Sequence, residues 1–292
     1  MASYEIFTDS SCDLPKEIID KFDLQVMQLE VIIDDNPPIL NREIDIKDFY
    51  DQLRNGANAK TSAVTLGHFE ENMRAALEAG KDILYLGFTS GLSVTYSNGV
   101  MVLEELMKEF PQRKILYTDT LCASMGQGLV VYYAAKLREE GKSMEEVLEA
   151  VNAIKDRVHH HVTVNDLFFL KRGGRISAAS AVAGTVLQFK PIIIVDESGK
   201  LSNIGKVRGR KTSINELFGM LKKVQKFDEL PLVCISNSDC YDDAKHLADM
   251  IQAEYPETEI VISDIGPVIG AHTGPGAIAL CHLGTTTKGV FE

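Results

Sequence analysis

Residues 83–118 read ILYLGF-TSGLSVT-YSNGVMVLEELMKEF-PQR-KILYT, and this stretch decides the fold. Ile83–Phe88 is a short apolar run of strand length. A hydroxyl-rich loop, Thr89–Ser93, separates it from a helix running from about Val94 to Phe110. Lys114–Thr118 is the next strand. Strand, helix, strand in this order predicts a parallel crossover with the helix lying on the sheet.

The same rhythm extends outward. Upstream, Tyr4–Thr8 predicts a strand, and Pro15–Phe22 a short helix with proline in its first turn. Leu24–Ile33 alternates apolar and polar residues over much of its length, as a half-buried strand does. It stops at the turn Asp34-Asp35-Asn36-Pro37-Pro38. A helix is expected from about Ile46 to Leu53. Downstream, a helix from about Cys122 to Arg138 precedes the capping box Ser143-x-x-Glu146, which opens another helix to about Val158.

The second half has a different pattern. Val162–Val164 is a short strand, and Lys171-Arg172-Gly173-Gly174-Arg175 leads into a small-residue helix, Ser177–Gln188. Pro191–Val195 and Leu201–Val207 flank the Asp196–Lys200 turn as a hairpin. Helix Thr212–Gln225, strand Leu232–Ser236, helix Asp239–Ala253 and strand Thr258–Ser263 follow. Val268–Leu283, broken by glycines and Pro275, is expected to be a hairpin. The expected fold class is α/β. It comprises an N-terminal Rossmann-like, mainly parallel domain over residues 1–157, with a small strand-containing insertion around 24–58. A C-terminal mixed α/β domain follows over 158–292, with a ligand cavity between or within the two.

Composition limits the function. The 292 residues suffice for two domains, and a 45% hydrophobic content can supply both a core and the lining of a cavity. A net charge of −12 argues against nucleic acid or an anionic membrane surface as partner, because both need clustered Lys and Arg. The five cysteines include no Cys-x-x-Cys, so neither a disulfide framework nor a zinc site is expected, and a reducing, cytoplasmic setting fits. The start MASYEIFTDSS has no basic segment or apolar run of signal length. No stretch reaches membrane-spanning length without charge, so an integral membrane protein is not expected.

Four segments concentrate ligand-binding groups. Thr8-Asp9-Ser10-Ser11 ends the first strand, where parallel sheets bind ligands, but Asp9 and Asp13 equally suit caps for the helix at Pro15. Lys60-Thr61-Ser62 puts two hydroxyls after the polar Asn55–Ala59, as an ordinary loop with a helix cap also would. Thr89–Thr95 supplies four hydroxyls at a helix N-terminus where capping needs one. With the backbone amides there, they can hold a phosphate or a carboxylate. Gly266–Gly276 surrounds His272 with four glycines and two prolines, leaving an accessible imidazole.

Other motifs fail. Gly274-x-Gly276-x-x-Ala279 contains a proline and lacks the strand-turn-helix context of a dinucleotide site. No phosphate-loop sequence occurs. Gly91–Thr95 approaches a nucleophile elbow but lacks its final glycine. His159-His160-His161 alternates faces along a strand and is expected at the surface or a strand end, without a metal.

Taken together, Thr8–Ser11, Lys60–Ser62, Ser90–Ser93, Lys171–Ile176, Lys190-Pro191-Ile192, Lys206-Val207-Arg208 and Gly266–Gly276 resemble, in order and spacing, the DegV family of bacterial fatty-acid-binding proteins. The resemblance covers nearly the whole chain. It implies a long-chain fatty acid as ligand and no further cofactor. It also implies a separate ATP-dependent kinase as partner, which phosphorylates the bound lipid to acyl phosphate for phospholipid synthesis. By it, Thr61 and Ser93 bind the carboxylate, with Ser62 and Val94 beside them. His272 and Arg175 lie close by, Ile176–Leu187 contributes tunnel wall, and Arg208 docks the kinase. There are two departures: Val94 stands where the family usually has glycine, and Ala63-Val64 where it often has Gln-Pro.

The residues alone leave other readings open. Ser93 and His272 would make a hydrolase if Asp119 or Asp264 oriented the histidine. The helix start after Ser93 would also suit a phosphorylated small molecule.

Overall fold

A computed structural model describes residues 4–165, 167–177 and 188–290. Its first sheet is wholly parallel. It is built from β1 (Tyr4–Asp9), β2 (Gln25–Met27), β6 (Asp82–Gly87) and β7 (Ile115–Asp119), in the order β2-β1-β6-β7. Such strands are apolar on both faces because helices cover both. In β6, Ile83 and Tyr85 pack toward α3 (Leu66–Glu78) and α4 (Thr95–Glu109), while Leu84 and Leu86 face α5 (Met125–Glu139). Two short helices, α1 (Lys16–Lys21) and α2 (Ile46–Arg54), flank this unit. The capping box forms as expected: Ser143 and Glu146 exchange hydrogen bonds at the start of α6 (Met144–Ile154).

The second sheet is mixed. It contains β8 (Val158–Thr163), β9 (Phe189–Val195), β10 (Leu201–Arg208), β11 (Leu232–Asn237), β12 (Glu259–Asp264) and β13 (Ile278–Leu283), ordered β10-β9-β8-β13-β11-β12. Only the β11–β12 pair is parallel. A short helix, α7 (Phe168–Arg172), follows β8; one face of the sheet packs on α8 (Arg210–Val224) and α9 (Tyr241–Glu254), and the other turns toward α5. Helix α5 is therefore sandwiched between the sheets and is buried along most of its length, although its sequence carries little amphipathic signal. A small antiparallel sheet, β3 (Glu30–Ile33), β4 (Ile39–Leu40) and β5 (Ala59–Ser62), carries Thr61 and Ser62.

Three expectations are corrected. Leu24–Ile33 is not one strand but β2 and β3, which belong to different sheets. The alternation is real, but Gln28-Leu29 breaks the pairing. Val268–Leu283 is not a hairpin. Pro267 starts a short helix, α10 (Pro267–Thr273), which Gly274 ends at φ 70°, and the apolar run beyond it is the buried β13. The run His159–His161 is neither superficial nor terminal. β8 begins at Val158 and lies between β9 and β13, so all three imidazoles are buried. The helix at 143 accordingly stops at Ile154. Most of the expected helix Ser177–Gln188, and of the wall Ile176–Leu187, lies outside the described residues.

Candidate functional site

A cavity of about 480 Å³ opens between the C-terminal ends of the first sheet and the inner face of the second. Its floor is set by strand alternation. His160 and Val162 of β8 and Val164 just beyond it face it, as do Ile193 and Val195 of β9 and Ala279 of β13. Phe88 and Ala123, just beyond β6 and β7, form part of the opposite wall.

One contiguous polar patch interrupts this largely apolar lining. Thr61, on β5, faces His272 in the last turn of α10, with Oγ1 2.9 Å from Nε2. Burial, with the Arg175 and Arg172 charges nearby, lowers the His272 pKa to about 4, so the ring is neutral near pH 7. His272 Nδ1 is buried and has no hydrogen-bond partner. The tautomer with the proton on Nε2 leaves only a lone pair bare there. In that form Thr61 accepts from His272 and keeps its own O–H to donate. The ring is backed by Gly173, where a Cβ would lie 2.1 Å from Nδ1.

Ser93 precedes α4. Its Oγ accepts from the Thr95 backbone N–H at 3.1 Å and lies 2.9 Å from the buried Thr95 hydroxyl. With Thr95 as donor, Ser93 likewise retains an O–H to offer. Val94 is the N-cap of α4, contributes no side-chain cap, and is 62% exposed while lining the cavity. Arg175 ties two loops together, donating from Nε to Leu92 O (3.1 Å) and from Nη1 to Gly173 O (2.5 Å). Burial pulls its pKa below the ordinary value. Ser62 lines the cavity beside Thr61. Thr61, Ser62, Ser93, Val94, Arg175 and His272 are thus gathered at one cavity. Arg208 lies apart from it, exposed at the end of β10, with Nε and Nη2 both on Gln188 Oε1.

The other candidates resolve as framework. Asp9 is fully buried, accepting from the backbone N–H groups of Ser11 and Phe88 and from Gln127. It caps the turn Ser10–Cys12, not the helix at Pro15. Asp119 accepts from the backbone N–H groups of Ser90 and Leu121, and Asp264 from Asn237. His272 and Ser93 pair with Thr61 and Thr95 and not with each other, so no Ser-His-Asp relay is assembled. Among the described residues no cluster of His, Cys, Asp or Glu is placed to hold a metal ion, and no helix is long and apolar enough to cross a membrane.

Sequence reading missed two polar cavity residues. Ser124 falls inside the segment read as helix, but α5 begins one residue later. The strand-end rule applied to β7 would have found it. His160 was hidden because nothing in the sequence marks β8 as an interior strand.

Comparison with known proteins decides the family. The profile described as "Uncharacterised protein, DegV family" matches residues 3–284. The chain belongs to the DegV family. It is 41% identical to a DegV domain-containing protein of Clostridium perfringens, over 99% of this chain and all of that one. It is 34% identical to one of Lactococcus lactis, over 98% and 99%. Among solved structures it resembles a fatty-acid-binding DegV family protein of Thermus thermophilus, with TM-score 0.84 at 29% identity over 97% and 99% of the two chains. It also resembles a fatty-acid-binding DegV family protein of Streptococcus agalactiae, with TM-score 0.82 at 26% identity over 98% and 100%.

Proposed function

We propose that this protein binds a long-chain fatty acid, with its carboxylate on the Thr61–Ser93 patch and its tail in the apolar cavity. One observation carries the reading. Two hydroxyls, Thr61 Oγ1 beside His272 Nε2 and Ser93 Oγ on the Thr95 N–H, line a cavity whose other walls are mostly alkyl and aromatic. Fatty-acid binding by the relatives of Thermus thermophilus and Streptococcus agalactiae supports it.

The energetics suit such a ligand. Each buried methylene is worth about 0.8 kcal/mol, so a tail of ~15 contributes on the order of 12 kcal/mol gross. Ordering costs reduce that. A hydrogen bond to a charged group adds roughly 1.5–3 kcal/mol. A buried carboxylate without such partners would be costly. The tail supplies affinity, and the head group supplies orientation.

In this reading a separate ATP-dependent kinase acts on the bound lipid. A carboxylate oxygen attacks the terminal phosphorus of ATP, the bond to the bridging oxygen breaks, and ADP leaves with that electron pair. The acyl phosphate then feeds phospholipid synthesis in the cytoplasm. Arg208, exposed and outside the cavity, is the proposed kinase contact. The division into units 1–157 and 158–292 is part of the same proposal, with the cavity between them. Lipid extraction and mass spectrometry of protein purified from a lipid-containing host test the central point. A stoichiometric long-chain fatty acid is expected, and its absence would overturn the reading.

A further inference from the structure

The cavity's polar residues do not end at the head-group patch. Ser124, just before α5, lines the same cavity and is 5% exposed. Its backbone sits at φ 49°, ψ −140°, which a residue with a Cβ rarely adopts. The turn around it is held from several sides. Ala123 N–H donates to His160 Nε2 (3.2 Å), and the buried Lys288 ammonium donates to Leu121 O (2.8 Å). A Cβ on Gly126 would lie 1.9 Å from His160 Nε2. Strain kept in place by this many contacts points to a use for the side chain.

The hydroxyl is anchored to two buried groups. With Asp13 ionised it donates to Oδ2 (2.5 Å), and the other carboxylate oxygen accepts from Gly266 N–H (3.0 Å). Ser236 Oγ lies 2.9 Å from it and is left as the donor. A serine oxygen has one hydrogen and two acceptor positions. Here the hydrogen and one acceptor position are taken, and one acceptor position remains. Phe88, Val162, Ile265 and Ala279, which line the same cavity, are apolar. A plain alkyl tail asks nothing of a hydroxyl at this place, and glycine would remove the strain. A hydroxyl on the ligand, by contrast, would lose its hydration in this cavity unless an acceptor met it.

We infer that Ser124 is a specificity-determining residue that accepts a hydrogen bond from a hydroxyl carried on the acyl chain away from the carboxylate, extending the ligand class to long-chain hydroxy fatty acids. The inference rests on the proposed reading of the cavity as an acyl site.

Calorimetric titration of stearic acid and a series of monohydroxystearic acids into the lipid-stripped wild type, Ser124→Ala and Ser124→Gly tests it. Ser124→Gly relieves the backbone strain, so a folded variant without the hydroxyl is available. One or more hydroxy isomers should bind the wild type at least as tightly as stearic acid. Relative to stearic acid, that isomer should lose about five- to tenfold in both variants, the worth of one neutral hydrogen bond, while stearic acid itself changes by less than about twofold. If every isomer is discriminated by the same ratio with and without the Ser124 hydroxyl, the inference is overturned and the fatty-acid reading stands. If stearic acid does not bind the wild type at all, both fall together.

Discussion

Replacing Gly173 by alanine probes the head-group patch with a single methyl group. Gly173 has φ −75°, ψ −4°, which alanine adopts freely, so the backbone introduces no strain of its own. The added Cβ would stand 2.1 Å from His272 Nδ1 and 3.0 Å from Cε1. Ordinary contact is about 3.5 Å, so the ring must retreat by more than about 1 Å. The 2.9 Å contact between His272 Nε2 and Thr61 Oγ1 cannot survive that shift unaltered. Thr61 then loses the group that orients its hydroxyl, and the ligand carboxylate loses one well-aimed hydrogen bond, worth roughly 1.5–3 kcal/mol. That is about tenfold or more in affinity. The tail contribution is untouched, and the loss of glycine freedom in the unfolded chain adds about 0.4–1 kcal/mol of stability that offsets part of any packing cost. Calorimetry with a long-chain acid and with the matching long-chain alcohol, which keeps the tail but lacks the carboxylate, separates these terms. The acid should weaken about tenfold more than the alcohol. Unchanged affinity for the acid would refute the role of the histidine–threonine pair. Equal losses for acid and alcohol would refute its confinement to the head group.

Ala279→Phe, at a buried position on the cavity floor, should abolish co-purifying lipid while far-UV circular dichroism stays that of the wild type; retained lipid would show that the tail lies elsewhere. Arg208→Ala should leave lipid content unchanged and slow phosphorylation by the proposed partner kinase, and equal turnover would remove Arg208 from the proposed docking surface. Acid should destabilise the protein. Burial lowers His160 and His282 to about 3 and His272 to about 4, against 6.5 for a free imidazole. The unfolded chain therefore binds protons first, and stability falls as pH drops from 6.5 toward 4. Asp13, raised to about 7 chiefly by burial, works in the opposite sense: the folded state keeps its proton where the unfolded state has lost it, so its contribution is present near pH 4 and declines toward pH 7. Urea midpoints should rise between pH 4 and 6.5, and Asp13→Asn should steepen that rise; a flat profile, or an unchanged slope in the variant, would contradict the assignment.

The sequence is most legible where local chemistry and global fold agree. Ile83–Phe88, the loop after it and the helix beyond carry an apolar strand, polar punctuation and a helix in the order the sheet requires. Ser143 and Glu146 announce their helix because a capping box is a local device. Legibility fails where tertiary context decides. β2 and β3 share one alternating run but join different sheets, and periodicity cannot say which partner a strand will meet. α10 packs glycines and prolines into seven residues that local propensity reads as turn, yet they are helical because Pro267 suits a first turn and because the helix packs against β5 and α2. At the site, the hydroxyls of Thr61 and Ser93 are visible as residues, but their pairing with His272 and Thr95 joins positions as far as 211 apart in the chain. The accommodating void at Gly173 is invisible without the ring that fills it.

The chemistry of the patch follows from what its arginine is already doing. A guanidinium with its fork free would clamp a carboxylate through two parallel hydrogen bonds, the strongest neutralising contact a side chain can offer. Arg175 has Nε on Leu92 O and one Nη1 hydrogen on Gly173 O, so its side-on fork is taken up by the protein while its positive charge stays beside the polar patch. His272, held neutral, adds orientation and no charge. The hydroxyls of Thr61 and Ser93 line the cavity beside it, the first next to His272 Nε2 and the second accepting from the Thr95 N–H. A carboxylate held by such hydroxyls is positioned but keeps most of its electron density. A protein that only stored fatty acid would gain by locking the head group. One that hands it to phosphoryl transfer gains by leaving it reactive, and in the proposed role the apolar cavity, through the many methylenes it would bury, retains the ligand while it waits.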